Sequence, residues 1–481
     1  MAVTTINGFN SGLNIKEIVK AMVDAERAPK TEQLSKLQSK TMAQISGLGS
    51  LKSGISNLQG VMKDLNSAKL FQARTVTSSE ATQVSAKADA TATPGTYKID
   101  VTHLATASTV ASAAVEKDAK FAAGGSLTIS VGDEALKTVT LPSGKDLSLS
   151  EVSSAINAQL KDQGISATVV TNPSDGKSRL MLTSSKTGAG NDITLSANGD
   201  LAKLAIPAKS ADTPSPDGVQ YISKATNAQL SINGLSVESA SNTVSDAIEG
   251  VTLTLTAPTT TNSTINGETV STSKPITLTV AEDKSGVKAN VKKFVEAYNS
   301  LISTTSSLTQ VTKVGEDGTP IAAALVGDAG VRQLLGNMRT ELGNPQAGGD
   351  GGVRILADMG ITTGKDGKLV IDDAKLTKTL DENYEAVAGF FTGDDGLMSR
   401  LSSKLEIYTQ TGGILESRIS GLNGTIKSVD KQNEALTMRM DKLQARLLAQ
   451  FNAMDGLLGR MNSTSNSLAS ALSSLPGVVR S

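Results

Sequence analysis

Apolar residues recur every three or four positions at both ends of the chain and every second position in its middle, which predicts helices outside and strands inside. From Leu34 the first run reads Leu34, Leu37, Thr41, Ile45, Leu48, Leu51, Ile55, Leu58, Met62, Leu65, a coiled-coil-like seam broken once by threonine. Pro29 lies upstream. Because proline pushes its predecessor out of helical geometry, the spacing predicts a short helix over Asn14–Arg27 and then a long one. The far end carries a longer seam: Leu415, Ile419, Leu422, Ile426, Val429, Asn433, Leu436, Met440, Leu443, Leu447, Gln450, Met454, Leu457, Met461, Thr464, Leu468, Ala471, Leu475. Asn433 and Gln450 are polar seam residues of the kind that fix register at a cost in stability. Leu415 to Leu447 suits either a helix packed within its own domain or one side of a coiled coil. Beyond Leu447, Ser, Asn and Met dominate, and such a helix is marginal alone, so it is expected to order against another subunit.

In the middle, Tyr97, Ile99 and Val101 alternate with polar residues, as do Leu127–Val131, Val251–Leu255 and Ile276–Val280, which predicts a β-rich insertion from about Val76 to Glu282. The Thr/Asn/Ser/Gly stretch Pro258–Pro275 reads as a long solvated hairpin loop, and Ala208–Gly218, with Pro214 and Pro216, as a boundary. Leu127–Gly132 precedes a helix expected at Glu151–Leu160 and a strand at Ala167–Val170. Leu230–Leu235 precedes a short helix expected at Val244–Ile248 and a strand at Val251–Leu255, so two related subdomains are expected. From Ser285 the helical period returns. A helix is expected at Val326–Leu342, a hairpin over Ile361–Ile371 around Lys365-Asp366-Gly367, and helices at Asp373–Leu380 and Glu382–Phe391. Both ends being helical, the fold class expected is α+β multidomain: a coiled-coil-like trunk from the two chain ends with two inserted β-rich head domains.

Composition then narrows the chemistry. With no cysteine in 481 residues, disulfides, thiolate nucleophiles and zinc fingers drop out, and a single histidine cannot build a multi-histidine metal site. Lys+Arg 46 against Asp+Glu 47 leaves no positive surplus for phosphate, so nucleic acid is not an expected partner. Aromatics at 2% mean that stability must come from many small aliphatic contacts along elongated elements. No apolar run is long enough for a membrane span, and Met1–Gly12 has neither a basic segment nor an apolar stretch. Neither membrane insertion nor a cleaved secretory signal is therefore expected.

Catalytic patterns fail one by one. His103 sits beside Leu104 after a strand and reads as a surface residue. Gly176-Lys177-Ser178 lacks the first glycine of a phosphate loop, since position 171 is threonine, and reads as a turn. Glu316-Asp317-Gly318 and Asp394-Asp395-Gly396 lack the alternating ligands of a calcium loop. Asp373 reads as a helix N-cap. No enzyme activity, metal or cofactor is expected.

Three blocks carry a family resemblance. Ile6-Asn-Gly8-Phe-Asn-Ser11-Gly12-Leu13-Asn14-Ile15, with Ile18-Val19, Met22-Val23, Ala25-Glu26 and Pro29, resembles the opening of flagellar filament cap proteins, the hook-associated protein 2 or FliD family. Asn10 and Asn14 replace the glycine and aspartate expected there, and Asn14 can still cap a helix. Met359-Gly360-Ile361, Asp366-Gly367-Lys368-Leu369, Ile371-Asp372, Leu376, Leu380, Asn383, Val387 and Phe390-Phe391 resemble that family's C-terminal half. Ala155-Ile156-Asn157, Ile165, Ala167, Arg179-Leu180, Leu182-Thr183 and Gly188 resemble an insertion motif shared by flagellin, hook-associated and cap proteins.

The resemblance implies a non-enzymatic factor at the distal tip of the bacterial flagellum, reached through the flagellar export apparatus without a cleaved signal peptide. There it promotes folding and insertion of flagellin, as filament elongation and motility require. It implies a homo-oligomeric ring, pentamer or hexamer, with flagellin, hook-associated junction proteins, an export chaperone before secretion and host mucin as partners. Residues 1–38 and 448–481 would be a foot region of terminal helices, and 39–75 with 284–447 a helical leg. One β-rich head would comprise 76–116 and 226–283, and a second, inserted one 117–225. Ile15, Ile18, Val19, Met22, Met454, Leu457, Met461, Leu468 and Leu475 are expected to dock on flagellin. The coiled-coil seam is expected at Leu48, Leu51, Ile55, Leu58, Leu415, Ile419, Leu422, Ile426, Val429, Leu436, Met440, Leu443 and Leu447. Two other readings fit the chain: a structural axial protein of flagellin or junction type, and a tip adhesin binding host glycans.

Overall fold

The computed structural model describes residues 14–208, 218–265, 268–313, 318, 320–346 and 352–474. In chain order its α-helices are α1 (Ile15–Leu65), α2 (Ala68–Gln72), α3 (Leu149–Leu160), α4 (Lys284–Thr309), α5 (Ala329–Gly343), α6 (Asp373–Glu382), α7 (Tyr384–Phe391), α8 (Leu397–Thr409) and α9 (Ile414–Ser473). The chain divides into two compact units, Met1–Ala68 with Lys284–Ser481, and Lys69–Asp283. It is α+β and multidomain: both ends build one helical unit, and the β-rich middle is inserted into it. Among the described residues no helix is long and apolar enough to cross a membrane.

In the helical unit α1 packs along α9, α4 and α8. Its 51 residues run unbroken, at 1.5 Å per residue for about 75 Å, which corrects the break expected at Pro29. Ala28, Pro29 and Lys30 are all exposed, so the backbone groups freed by proline meet water. Buried Val19 and Val23 before the proline and Leu34 after it hold the helix on line. Leu48, Leu51, Ile55 and Leu58 are fully buried. Two glycines let α4 come close: a Cβ on Gly54 would lie 3.1 Å from Leu301 Cδ1, and one on Gly47 3.2 Å from Leu308 Cδ2.

The elements after α4 close this core. Asp328 caps α5, accepting from Val331 N at 3.1 Å, and also receives Arg418 of α9. The strands Ile361–Thr363 and Leu369–Ile371 form the expected hairpin, with Gly367 at φ +80° supplying its turn. Asp372, rather than Asp373, caps α6, accepting from Ala374 N and Lys375 N at 3.0 Å. The cap needs extended backbone, and that falls one residue earlier than expected. Asp373 instead binds Lys288 and Lys292 of α4 at 3.2 and 2.8 Å. Phe390 and Phe391 pack edge to face within the buried end of α7.

The inserted unit holds two cores. Around the first, antiparallel strands Arg74–Ser78, Ile276–Glu282, Gly95–His103, Ala228–Ile232 and Leu235–Ser239 pair in that order, and Thr243–Ile248, Val251–Leu255 and Val84–Ala88 form a second sheet. Ile99, Val101, Leu230, Leu253, Leu278 and Val280 lie inside. Around the second, α3 packs on strand Ile165–Thr171, and Phe121, Leu127, Ile129, Ile156, Leu180 and Leu195 are buried.

Two expectations are corrected here. Thr243–Ile248 is a strand, not a helix. Val244 and Ile248 are buried, and a six-residue segment in which Thr243, Val244 and Ile248 are β-branched gains more from pairing with Val251–Leu255 than from one isolated helical turn. The first copy runs strand, helix, strand and the second strand, strand, strand, so the two halves are not related subdomains. Within Pro258–Pro275, Thr260–Ile265 and Glu268–Ser273 form a β-ribbon rather than an open loop. Asp100 fastens its base by accepting from Thr259 Oγ1 at 2.6 Å, from Thr260 Oγ1 at 3.0 Å and from Ser273 Oγ. Burial pushes this carboxyl up, and the three hydroxyl hydrogen bonds outweigh burial and hold it below its ordinary value.

Candidate assembly surface

Asn14 starts α1, its side chain accepting from Glu17 N at 3.3 Å. The helix then lays Ile15, Val19 and Val23 against Met440 of α9, with Leu436, Leu443, Leu447, Leu448 and Phe451 packed around them. Of the residues expected to dock, Ile15 and Val19 are therefore engaged within the chain, and Ile18 is half-buried. Met22 is 47% exposed, and Met454, Leu457, Met461 and Leu468 are 45%, 61%, 64% and 62% exposed. Leu475 lies outside the described residues, as do residues 6–13 of the first sequence block.

The seam splits in the same way. Leu415, Val429 and Met440 are buried. Ile419, Leu422, Ile426, Leu436, Leu443 and Leu447 are half-buried, and from Met454 to Leu472 the large apolar side chains of α9 face solvent. This exposed stripe is longer than the isolated apolar residues normal on a surface.

Beside it, a groove of about 900 Å³ opens between α1 and α9. Met22, Met438, Leu443 and Leu447 supply apolar lining, Arg439, Lys442 and Arg446 a cationic rim, and Glu26 one carboxylate. The seam reading missed Met438 and these cations, because they lie off the seam; the sorting of charge by helical face was the available signal.

The expected absence of chemistry can be set against geometry. Among the described residues no group of His, Asp and Glu is arranged to hold a metal ion. His103 ends its strand, exposed, opposite Gln229.

The insertion motif is structural. Asn157 donates from Nδ2 to Ala167 O and accepts from Ala167 N, both at 2.8 Å, standing in for a missing strand partner. Arg179 Nη1 donates to the Ser112 carbonyl at 2.8 Å. Gly188, at φ +100°, sits so close to Ala240 that a Cβ would fall 2.6 Å from its methyl.

Fold and surface together define a class: an α+β multidomain protein whose chain ends share one helical unit, with a β-rich insertion and long solvent-facing apolar helix. The profile described as flagellar hook-associated protein 2 N-terminus matches residues 11–108, and the corresponding C-terminus profile residues 225–463. The flagellin hook IN motif matches residues 126–186. The chain is 50% identical over 487 residues to the A-type flagellar hook-associated protein 2 of Pseudomonas aeruginosa, covering 99% of each. It is 35% identical to flagellar hook-associated protein 2 of Escherichia coli K12, over 97% of this chain and 98% of that one. The crystal structure of the flagellar cap protein FliD D1-D2-D3 domains from Escherichia coli superposes with a TM-score of 0.57 at 33% identity, covering 78% of this chain and 99% of that chain. The chain belongs to the flagellar hook-associated protein 2 family.

Proposed function

We propose that this chain caps the distal end of the growing bacterial flagellar filament and promotes the folding and insertion of exported flagellin. The observation that carries this reading is the α9 stripe, whose large apolar side chains from Met454 to Leu472 face solvent among the described residues, in a chain whose relatives are flagellar cap proteins. A cap must hold the tip yet release at each insertion, so its contacts should be many and individually weak. Small, flexible Met and Leu contacts meet that need, and aromatic anchors would slow dissociation. The family match favours capping over the axial-subunit and adhesin readings.

In this reading the protein works without catalysis, as a homo-oligomeric ring at the filament tip. Residues 1–38 and 448–481 are its feet, 39–75 and 284–447 its legs, and 76–116 with 226–283 and 117–225 its two heads. The separate burial of two cores in the inserted unit supports two heads, with Val110 and Val115 packing in the second core rather than the first. Hook-associated junction proteins, an export chaperone and host mucin are the further partners to be tested by direct binding.

The decisive experiment removes Met454–Ser481. The body should stay folded, losing only the helical signal of the deleted end of α9, while filaments fail to grow and monomeric flagellin accumulates in the medium. Normal filaments from that truncation would sink the proposal. Added to cells that secrete unpolymerised flagellin, the full chain should restore filaments.

A further inference from the structure

We propose that the outward face of α9 around Met438 is the surface through which copies of this chain stand side by side in the cap, an inference that rests on the ring reading above. Met438 is 60% exposed on the helix face opposite the buried Met440. At about 100° per residue, Asp430, Glu434 and Asp441 fall on one flank of Met438, and Arg439, Lys442 and Arg446 on the other. All six are exposed. Arg439 reaches Glu26 at 3.9 Å, and the other five side chains make no ion pair or hydrogen bond among the described residues.

Such sorting is unfavourable in an isolated helix. Asp430 and Glu434, and likewise Lys442 and Arg446, are like-charged pairs four residues apart, a spacing that destabilises a helix. Lys427 and Lys431 lie near the line of Met438, within about 20° on either side, and offset part of this for the acidic pair. Interspersed charges would have avoided the penalty, as the Lys20–Asp24 and Glu32–Lys36 pairs do on α1.

A second copy of the same helix in parallel alignment fits both flanks. Its acidic strip meets the cationic rim of the groove, and two of the three acids have an arginine five residues further on: Glu434 with Arg439, Asp441 with Arg446. Five residues rise ~7.5 Å, a span that an arginine and a carboxylate side chain together can close. The two flanks differ in sign and lie on the same outward half of the helix. The contact is therefore heterologous, flank to opposite flank, and repetition by rotation closes a ring. Opposite charge would also steer encounter and set the order of subunits.

The test is charge exchange in the full-length chain, read by sedimentation at low and high salt. Glu434→Lys with Asp441→Lys should weaken self-association on the order of tenfold and reduce its salt dependence. Arg439→Glu with Arg446→Glu should do the same. All four changes together should restore association to within about threefold of the original, which a merely structural defect would not allow. Circular dichroism establishes that each variant keeps its helix content. Wild-type rings with unchanged two-site variants overturn this interface alone, as does failure of the four-site variant to recover. Unchanged rings with lost filament growth overturn it in favour of flagellin as the occupant. A wild-type chain that stays monomeric overturns the ring reading and the interface with it.

Discussion

Asp328 and Arg418 tie the start of α5 to α9: Arg418 Nη1 donates to Asp328 Oδ1 at 3.0 Å while the same oxygen accepts from Val331 N. One carboxylate thus serves as helix cap and as anchor for the longest helix of the chain. The Arg418 hydrogen bond is the main reason its pKa falls below the ordinary value, against the opposing effect of burial. Asp328→Ala should cost about 2 kcal/mol: roughly 1 for the cap, and roughly 1 for an ion pair discounted because Arg418 is more than a third exposed. Arg418→Gln should cost only about half as much, leaving the cap. Because the folded pKa is depressed, this contribution is complete above the unfolded carboxylate value near 3.9 and disappears as pH falls through the lower folded value. Urea unfolding across that range checks both the magnitudes and the sign.

Asp100 should control the ribbon Thr260–Ile265 and Glu268–Ser273, since its hydroxyl partners sit on both strands at the base of that ribbon. An isolated two-stranded ribbon is marginal in water. In Asp100→Asn the amide nitrogen cannot accept, so ribbon amides should exchange with deuterium about tenfold faster while the two buried cores keep their protection. Wild-type protein should show the same loosening only in acid, as pH drops through the lowered pKa of Asp100. Equal exchange rates in the two proteins would remove the clamp from the account.

Gly421 and Gly424 sit inside α9 with nothing near the position of an added Cβ. Alanine at either site should stabilise the helical unit by about 0.5–1 kcal/mol through backbone entropy. Gly188→Ala should do the reverse, because there φ is positive and Ala240 blocks the space. Thermal melts of the three variants give the comparison directly.

Asn157 should prove structural. Asn157→Ala leaves Ala167 N without its partner, while Ala167 O keeps the hydrogen bond donated by Ser153 Oγ at 2.9 Å, so a loss of about 1–2 kcal/mol is expected. Melting of the inserted unit should shift while the helical unit is unaffected; a neutral substitution would show that water replaces the side chain at no cost.

Much of this architecture was readable before any coordinates. The change of period placed α1, α9, α4 and the strands Gly95–His103 and Val251–Leu255, because those signals are local: each apolar side chain must face a core at the repeat of its own element. Asp366-Gly367 likewise marked its hairpin, since only a few residues adopt positive φ cheaply. The family blocks were legible because most of their residues are packing residues, such as Leu376, Leu380, Val387, Phe390 and Phe391, all buried.

The sequence by itself thus determined the elements, their two periods and the nesting of a β-rich middle between helical ends. Tertiary structure decided the rest. It carried α1 straight through Pro29, because contacts on either side outweigh one lost hydrogen bond. It made Thr243–Ile248 a strand, because its partner Val251–Leu255 was at hand. It chose which seam residues are covered, burying Met440 against Ile15 and Val19 and leaving Met454 and Leu457 in solvent. A periodic stripe shows that a helix has an apolar face. Only the arrangement of its neighbours determines how far along the helix that face finds a partner.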